Sequence, residues 1–498
     1  MATPTKGLVS RRQAVGAAIL SPLLPAAAQA ATPPAPPVMA RDALLAGLRA
    51  TLDQDGILTG DAIGKRYLTR KQDDKPFAVL RPRNAADVSA IMKLCSAARQ
   101  PVVPQGGMTG LVGGGVAHQN EIVISSERMN MIDGVNTADR TMTVGAGVTL
   151  KDAQDRAATL GFMVPLDFGI RKIATIGGMV STNAGGVAAF RHGTMRERVL
   201  GLEAVLADGR VLAELGQVRK RNEGLAAERL LIGAEGTLGV ITRIALALVP
   251  ADGPTATALV ALPDLAAGAA LCDRAQAVTS ATPTAIEVMS GNHAAAVCRA
   301  FGLTDFATLA CAPYLVLLEL AAGDAGRAEA ALVDLLGAAV DAGLVTDAVV
   351  AQNEAQRHTM WRIREDWAID RERPGGLWYD VSVPLAALPD YVASLEQRLA
   401  AHDASLGLVI IGHLADGNLH VTVNAAVPVT ARYEEIAPVV TDGLDRVGGS
   451  YSAEHGIGLE KKATLARLAS PTKQSLLRGL KALYDPRGIL NPGKVIPD

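Results

Sequence analysis

The chain is poor in the residues that mark nucleic-acid-binding and disulfide-built proteins. Aromatic residues make up 3% of its 498 positions and the formal net charge is −2, so neither a basic stripe nor a nucleic-acid partner is predicted. Cysteine is also scarce, and the spacing of the four residues fits no zinc knuckle and no CxxC redox pair: Cys95, Cys272, Cys298 and Cys311. Because 49% of the residues are hydrophobic, a chain of this length can bury two or more cores.

Two common nucleotide-binding signatures are missing as well. No GK[ST] follows a glycine loop, and no G-x-G-x-x-G opens a helix after a strand, so neither a P-loop nor a Rossmann site is predicted. Glycine itself is frequent, with 50 residues in the chain, and clusters of glycine lie at 106–115, 177–186 and 233–239. Such clusters let the backbone approach a ligand, and successive N–H groups can hold phosphate oxygens. A tight turn without a ligand remains the alternative for any one of them.

The N-terminus resembles a signal peptide for export. Arg11 and Arg12 precede a weakly apolar stretch at residues 14–24, and Ala28-Gln29-Ala30 supplies a cleavage signal. The stretch is too short to span a bilayer, so no transmembrane span is predicted. Twin arginines before a weak apolar segment favour twin-arginine export and a periplasmic location. A disordered Ala/Pro-rich start on a cytoplasmic protein is the alternative.

The remaining chain divides by pattern. Residues 76–252 mix short strands with glycine loops, whereas residues 254–450 alternate strands and helices, which is typical of an α+β domain with helices packed on a sheet. Further helices are predicted over 431–447 and 461–484.

The segment from His413 to His420 carries the strongest chemical signal. An apolar run precedes it, an alternating run follows it, and Asp416-Gly417 favours a two-residue hairpin turn. That turn would place His413 directly opposite His420, close enough for both imidazoles to bind one cation. Two ordinary polar residues on a sheet face are the alternative.

A second segment, Ser452-Ala453-Glu454-His455-Gly456-Ile457-Gly458, adds a carboxylate and an imidazole. Glu454 could complete a His/His/Glu metal site with open positions, and His455 could act as a base. Neighbouring side chains in a strand point to opposite faces, so both reach one site only if Gly456 and Gly458 bend the chain. A surface Glu-His pair is the alternative.

The motifs occur in a recognisable order. They are Pro104-Gln105-Gly106-Gly107, Ile176-Gly177-Gly178 with Thr182-Asn183-Ala184-Gly185-Gly186, Arg191-His192-Gly193, Gly201-Leu202-Glu203, Ile232-Gly233-Ala234-Glu235-Gly236-Thr237-Leu238-Gly239, Gly412-His413 to His420, Glu454-His455-Gly456-Ile457-Gly458 and Leu490-Asn491-Pro492-Gly493-Lys494. Over about residues 76–495 the chain resembles the FAD-linked 2-hydroxy-acid dehydrogenases of the vanillyl-alcohol-oxidase type. Its nearest members are similar to D-2-hydroxyglutarate and D-lactate dehydrogenases.

The resemblance implies an α+β protein with a two-part FAD-binding domain and an α+β substrate-binding domain whose sheet is covered by helices. The expected division is a signal peptide at 1–30, a linker and helical segment at 31–75, an FAD domain at 76–252, a substrate- and metal-binding domain at 253–455 and a C-terminal segment at 456–498 that returns to the FAD domain. Expected cofactor contacts are Gln105, Gly106, Gly107, Thr109, Gly110, Gly177, Gly178, Thr182, Asn183, Gly185, Gly186, Glu235, Thr237 and Asn491. Since no histidine stands in residues 104–111, non-covalent FAD is expected there.

The resemblance also implies a catalytic centre. His413, His420 and Glu454 match the family's divalent-metal ligands, with zinc or manganese expected, and His455 matches its base. Arg364 stands at the position that clamps the substrate carboxylate, although two solvated helix charges would explain Arg362 and Arg364 equally without the family. The implied reaction removes the C2 hydroxyl proton and passes the C2 hydride to flavin N5, which leaves a 2-oxo acid.

Most departures from the family lie on the substrate side, and one lies in the FAD loop. Trp378-Tyr379-Asp380 stands where relatives specific for 2-hydroxyglutarate carry Lys-Tyr-Asp, Ala368 replaces a threonine and Thr422 an asparagine. Met108 replaces an asparagine in the FAD loop, which backbone binding should tolerate. With Arg364, the expected substrate contacts are Trp378, Tyr379 and Thr422. An indole has one N–H donor and no charge, so a D-lactate-like or apolar side chain is predicted.

Three functions are therefore weighed. The first is an FAD- and metal-dependent dehydrogenase of D-2-hydroxy acids, with D-2-hydroxyglutarate as the alternative substrate. The second is a glycolate- or 2-hydroxy-acid oxidase that uses O2, and the third is a non-catalytic flavin- and metal-binding protein. The dehydrogenase would need an electron acceptor such as a quinone, a cytochrome or an electron-transfer protein, and a homodimer is compatible with the sequence.

Overall fold

The computed structural model describes residues 40–68 and 75–497. The predicted signal peptide at 1–30, with Arg11 and Arg12, lies outside the described residues, as does the Pro-rich stretch that follows it.

Residues up to 250 form the first structural part. Its helices are α1 (Arg41–Thr51), α2 (Ala85–Ala98), α3 (Leu150–Ala158), α4 (Ile176–Thr182), α5 (Ala189–His192) and α6 (Met195–Arg198). Its strands are β1 (Ile57–Leu58), β2 (Ala78–Leu80), β3 (Val102–Gln105), β4 (Ile122–Ser125), β5 (Ile132–Asn136), β6 (Thr141–Gly145), β7 (Phe162–Met163), β8 (Val199–Val205), β9 (Val211–Glu214), β10 (Val240–Ala247) and β11 (Val249–Pro250).

These strands form two main sheets. The first has the order β1-β2-β4-β3 and pairs β2, β4 and β3 in parallel, while the second has the antiparallel order β5-β6-β10-β8-β9. Strands β2 and β4 are buried along their whole length, which explains why they are short continuous apolar runs. The first glycine cluster leaves the carboxyl end of β3, an edge where parallel sheets present loops to ligands.

The second part holds one large sheet with helices on both faces. Its strands are β12 (Thr255–Leu262), β13 (Thr282–Ser290), β14 (Tyr314–Ala321), β15 (Asp347–Val350), β16 (Leu377–Ser382), β17 (Gly407–His413) and β18 (Asn418–Asn424). Its helices are α7 (Leu265–Gln276), α8 (Gly291–Phe301), α9 (Ala325–Asp341), α10 (Glu354–Glu365), α11 (Ala368–Glu372), α12 (Leu388–His402) and α13 (Tyr433–Thr441), and α14 (Lys462–Leu468) and α15 (Pro471–Tyr484) follow.

The large sheet is antiparallel with the order β15-β12-β14-β13-β17-β18-β16. One apolar cluster packs its first face against α7, α9 and α12, and a second cluster packs the other face against α8 and α10. The predicted α+β class, with a sheet covered by helices, is confirmed.

Two helix predictions were too long. The helix predicted over 461–484 is two helices, because the chain breaks before Pro471, where the Ser470 side chain caps α15 by accepting a hydrogen bond from the Lys473 N–H. The helix predicted over 431–447 ends at Thr441, and Gly443 follows with a φ of +83°.

The hairpin prediction was wrong in register. A 3₁₀ turn over Leu414–Asp416 and a left-handed Gly417 replace the two-residue turn, so His413 pairs with Asn418 and His420 pairs with Ile411. The shift is two residues, and an even shift keeps every side chain on its face. His413 and His420 are therefore diagonal neighbours on one face rather than directly opposed.

The C-terminal stretch returns to the first sheet. Val102 donates its N–H to Ile489 O at 2.8 Å, and Asn491 donates its N–H to Val102 O at 2.8 Å. Within residues 40–68 and 75–497, none of the helices combines the length and apolar character that crossing a bilayer requires.

Candidate active site

A cavity of about 560 Å³ brings the three glycine clusters together with the predicted catalytic side chains. Residues 104–115 and parts of 177–186 and 235–241 line one side of it, and His413, His420, Glu454, His455 and Arg364 line the other. Sequence positions more than 300 residues apart therefore share one site.

The first glycine cluster leaves no room for side chains at its start. A Cβ on Gly106 would collide with Thr175 Oγ1, and a Cβ on Gly107 would collide with the carbonyl of Ile173, whereas a Cβ on Gly110 would meet nothing within 4 Å. The second cluster begins with α4, whose Gly178 N–H donates to Thr175 Oγ1 at 3.3 Å. The lining on this side is mostly main chain, which suits a long polar cofactor.

Most of the predicted cofactor residues line this cavity. They are Gln105, Gly106, Gly107, Thr109, Gly110, Gly177, Gly178, Thr182, Gly185, Gly186 and Glu235. Gln105 places a buried Oε1 there that has no hydrogen-bond partner among the described residues. The volume, the main-chain lining and this unpaired acceptor fit the FAD that the glycine clusters predict.

Three predicted cofactor residues support the loops instead of lining the cavity. Asn183 accepts hydrogen bonds from Thr194 Oγ1 and from the Arg196 N–H, both at 2.9 Å. The hydroxyl of Thr237 donates to Ala234 O at 2.7 Å. Asn491 donates through Nδ2 to Gly114 O at 3.0 Å and to Glu235 O at 2.7 Å, and so ties two glycine clusters together.

Glu235 connects the cofactor side to the segment that carries Glu454. Its carboxylate accepts the N–H of Ile457 at 2.6 Å and of Gly458 at 3.0 Å. Burial raises the pKa of Glu235 to about 7, although these two hydrogen bonds favour the charged form.

His413, His420 and Glu454 form a candidate metal site. One ligand atom from each lies within 4.8 Å of the other two, and the two imidazole centroids are 5.3 Å apart. Nδ1 of His420 is buried without a hydrogen-bond partner among the described residues. Two imidazoles and a carboxylate suit zinc or manganese, so the donor set fits the predicted ion.

Buried carboxylates surround this cluster. His413 Nδ1 lies 2.8 Å from Glu287 Oε1, which fixes the ring and leaves Nε2 directed toward Glu454 Oε2 at 3.7 Å. Burial opposes a charge on His413, but Glu287 and Glu454 raise its pKa well above the ordinary value. Burial also lowers the pKa of His420, aided by His413 and His455, to about 3. The carboxylates of Glu287 and Glu454, on either side of the His413 ring, therefore favour positive charge at this cluster.

Asp380 organises the neighbouring part of the site. This fully buried residue accepts the N–H groups of Glu454 and His455, both at 2.9 Å, and lies 3.4 Å from Lys461 Nζ and 3.8 Å from His455 Nδ1. Burial would raise its pKa, but His455, Lys461 and His420 lower it far below the usual range.

Asp380, His420 and His455 form a second group with ligand spacing. The oxygens of Asp380 are already taken by the two amides and by Asn418 Nδ2 at 2.9 Å, with Lys461 adjacent. A divalent ion is therefore better placed at His413, His420 and Glu454.

The predicted bend after Glu454 is confirmed. Gly456 and Gly458 have φ values of +83° and +51°, and Glu454 and His455 both line the cavity. The His455 ring stacks on that of His420 with centroids 5.4 Å apart. Glu454 Oε1 also accepts the N–H of Gly186 and so reaches the second glycine cluster.

The predicted substrate residues lie in different places. Arg364 lines the cavity, is 7% exposed and pairs with Glu287 at 2.7 Å. Trp378 is 43% exposed and stacks on Trp367, which lines the cavity. Thr422 pairs with Trp378 across β16 and β18. Tyr379 faces the opposite way and is buried against Tyr433, so the structure does not bring its ring to the cavity.

Sequence reasoning did not assign three residues that shape the site: Glu287, Asp380 and Lys461. Glu287 and Asp380 are single charges inside otherwise apolar strands, an arrangement that is costly unless the charge is paired. That signal could have identified both. Lys461 follows the bend closely and had no comparable signal.

The chain matches two family models. Residues 76–213 match the FAD binding domain, and residues 253–495 match the C-terminal domain of FAD linked oxidases.

The similar curated proteins share most of their length with this chain. A D-2-hydroxyglutarate dehydrogenase of Xanthomonas citri pv. viticola is 36% identical over 86% of this chain and 91% of its own length. The mitochondrial D-2-hydroxyglutarate dehydrogenase of Bos taurus is 36% identical over 84% and 76%. A putative mitochondrial D-lactate dehydrogenase of Schizosaccharomyces pombe is 33% identical over 86% and 83%.

Solved structures share the fold at low identity. p-Cresol methylhydroxylase with bound substrate superposes with a TM-score of 0.73 at 17% identity, covering 92% of this chain and 97% of that chain. Alkyldihydroxyacetonephosphate synthase gives 0.68 at 16% identity, covering 92% and 85%. These likenesses confirm the predicted vanillyl-alcohol-oxidase type of fold.

Proposed function

Because the chain belongs to the family of FAD-linked oxidases and is an FAD-dependent D-2-hydroxy-acid dehydrogenase, we propose that its substrate has a small or apolar side chain and that a divalent metal assists its oxidation to the 2-oxo acid. The observation that carries this proposal is the convergence of His413, His420, Glu454, His455 and Arg364 on the cavity that the glycine clusters line.

The residues divide the chemistry among them. Arg364 binds the C1 carboxylate, since its guanidinium is buried in the cavity wall. His455 accepts the C2 hydroxyl proton, and Asp380, near its Nδ1, stabilises the imidazolium that results. The bound flavin supplies an acceptor for the C2 hydride. A cation held by His413, His420 and Glu454 supplies a Lewis acid for the hydroxyl.

The metal proposal has its own measurement. Elemental analysis of purified protein should find about one zinc or manganese per chain, and His413→Ala should lower that content. An ion content that does not change in His413→Ala would contradict this site.

The side-chain proposal rests on charge. Trp378 supplies no cation where relatives of the 2-hydroxyglutarate type carry lysine, and loss of a charge-assisted hydrogen bond costs about 1.5–3 kcal/mol. The guanidinium of Arg362 lies over the Phe301 ring, at 5.2 Å, and is engaged there. D-2-hydroxyglutarate should therefore be a poorer substrate than D-lactate or D-2-hydroxybutyrate.

The decisive experiment is anaerobic reduction of the bound flavin by a panel of D- and L-2-hydroxy acids. Bleaching by D-acids, with turnover supported by an artificial acceptor and not by O2, is the expected result. Equal turnover with O2 would make the protein an oxidase, and failure of every 2-hydroxy acid to bleach the flavin would make it non-catalytic. A tenfold preference for D-2-hydroxyglutarate would overturn the side-chain proposal alone.

Three further proposals rest on the sequence. The electron acceptor is a quinone, a cytochrome or an electron-transfer protein, and a homodimer is compatible with the chain. Export by the twin-arginine route is tested by fusing residues 1–35 to a reporter. Replacement of Arg11 and Arg12 by lysine should then hold the reporter in the cytoplasm, and an unchanged location would refute the route.

A further inference from the structure

The chain contains three tryptophans, and all of them lie in or directly behind the wall of the cavity. Trp361 and Trp367 line it, and the Trp378 ring stacks on Trp367 with centroids 5.2 Å apart and planes 27° from parallel. Phe168 lines the same cavity from the first structural part. Although aromatic residues make up only 3% of the chain, its three largest rings lie together at this cavity.

The rings are held so that their apolar surface is available. Trp361 donates its Nε1–H to Glu319 Oε2 at 3.3 Å, and Glu319 is fixed in turn by Arg357 Nε at 2.8 Å. The indole N–H is therefore satisfied inside the protein, away from any ligand. The Trp367 ring is held differently, because the Trp378 ring stacks on it.

The rings also stand beside the carboxylate clamp. Trp361 and Arg364 are three residues apart on α10, and both line the cavity. Residues at this spacing lie on one helix face, about one turn from each other. A substrate whose C1 carboxylate is bound by Arg364 would therefore have its side chain near an aromatic surface.

The charges of the lining disfavour a second carboxylate. Five acidic residues line the cavity: Asp167, Glu235, Glu287, Glu365 and Glu454. Among the described residues that line it, Arg364 is the one lysine or arginine, and it already pairs with Glu287. If Arg364 binds the C1 carboxylate, the described lining offers no second lysine or arginine to pair with a distal carboxylate, which disfavours a dicarboxylic substrate.

We propose that the natural substrate is a D-2-hydroxy acid with an aromatic side chain, whose ring packs against Trp367 and Trp361. The inference rests on the proposed function and makes its substrate class more specific. Aromatic pairs gain stabilisation beyond the area they bury, and a pocket that fits an extra group discriminates by about tenfold or more. D-3-phenyllactate should therefore exceed D-lactate in kcat/KM by about tenfold or more.

Substitution at Trp367 tests the ring contact. Trp367→Leu should lower the ratio of kcat/KM for D-3-phenyllactate to that for D-lactate by at least about tenfold, while Trp367→Phe should keep most of the ratio. Phe77→Leu, a half-buried ring that does not line the cavity, is the control and should leave the ratio unchanged. A ratio that is equal in Trp367→Leu and wild type would overturn the proposal.

A binding measurement gives a readout that does not depend on turnover. 3-Phenylpropionate and propionate lack the C2 hydroxyl and cannot be oxidised, so each can be titrated into the oxidised holoenzyme while the flavin absorption and tryptophan fluorescence are followed. The aromatic acid should bind at least about tenfold more tightly, and Trp367→Leu should remove that advantage. Equal affinities would overturn the proposal.

The possible outcomes distinguish failure of the aromatic-substrate inference from failure of the proposed function. If aliphatic D-2-hydroxy acids reduce the flavin but the aromatic one shows no advantage, the inference fails and the proposed function stands. If no 2-hydroxy acid reduces the flavin, both fail together. If Trp367→Leu releases FAD, the ring faces the cofactor, and the inference is wrong.

Discussion

The two sides of the cavity are built from different parts of the polypeptide. On the cofactor side, glycines are frequent within residues 104–115 and 177–186, and some of them are required because a Cβ would collide with neighbouring atoms, as at Gly106, Gly107 and Gly177. On the catalytic side, buried and half-buried ionisable side chains determine the properties of the site: His413, His420, Glu454, His455, Asp380 and Arg364. Binding by the main chain depends on the shape of the backbone, whereas catalysis by side chains depends on which residues are present.

This difference explains which departures from the family the chain can carry. Met108 stands in the cofactor loop at a φ of +55°, a left-handed conformation that asparagine adopts more readily, so the chain carries this departure at some cost in backbone strain. On the catalytic side each ionisable group is paired with another, so loss of one leaves its partner buried and uncompensated. The two sides meet at Glu454, which contacts both His413 and the Gly186 N–H.

The largest difference between the cofactor side and the catalytic side is expected when both imidazoles of the candidate metal site are removed. The double change His413→Ala and His420→Ala should reduce kcat/KM by at least about a hundredfold, because loss of direct ligands exceeds the ten- to hundredfold scale of outer contacts. The ratio of bound FAD to protein should stay near that of wild type. His402→Ala, at an exposed pair with Glu435, is the control.

Near-normal turnover in the double variant would refute the metal site. Loss of FAD would instead refute the independence of the two sides.

The second test removes the charge that organises the catalytic side. Asp380→Asn should lower kcat by about ten- to hundredfold, because Asp380 holds the amides of Glu454 and His455 and lies near the imidazole of His455. Metal affinity should also fall while KM changes less. Asp442→Asn, at an exposed pair with Arg446, should have little effect. An unchanged kcat would show that Asp380 is only structural.

The third test concerns the cofactor side and uses two glycines of one loop. Gly107→Ala should destabilise the protein by about 1–3 kcal/mol and lower Tm by a few degrees, because its methyl group would collide with Ile173 O. Gly110→Ala, where a Cβ meets nothing within 4 Å, should leave the Tm of the cofactor-free protein unchanged.

Both variants are read by thermal melts of the cofactor-free protein and by FAD titration. Weaker FAD binding by Gly110→Ala at unchanged Tm would place cofactor against that glycine. Equal Tm losses in both variants would contradict the crowding argument.

The smallest effect is expected at the junction between the two sides. Because burial raises the folded-state pKa of Glu235 to about 7, above its ordinary 4.5, the folded protein binds more protons between these values. The contribution of Glu235 to stability should therefore fall as pH rises through that window. The Tm of the wild type relative to Glu235→Gln should decline between pH 5 and 8, and a constant difference would contradict the raised pKa.

Several elements followed from local pattern alone. The alternation of strands and helices predicted over residues 254–450 is observed as the large sheet and the helices that cover it. The breaks before Pro471 and at Gly443 were missed, although proline and glycine are the residues that end helices. The hairpin register was missed because Asp416-Gly417 also fits a four-residue turn over 414–417 that ends on a left-handed Gly417.

By itself, the sequence indicated the kind of chemistry: its glycine clusters pointed to an extended cofactor, and its histidines with a glutamate predicted a candidate cation site. Residue type and spacing suffice for that, because they fix which donors exist and which backbone can bend. The tertiary structure decided which groups act together. It joined Asp380 and Glu287 to the histidines, moved Tyr379 to the far side of the sheet and gathered all three tryptophans at one cavity. Such contacts depend on sheet order and helix packing, which join residues that the chain itself keeps far apart.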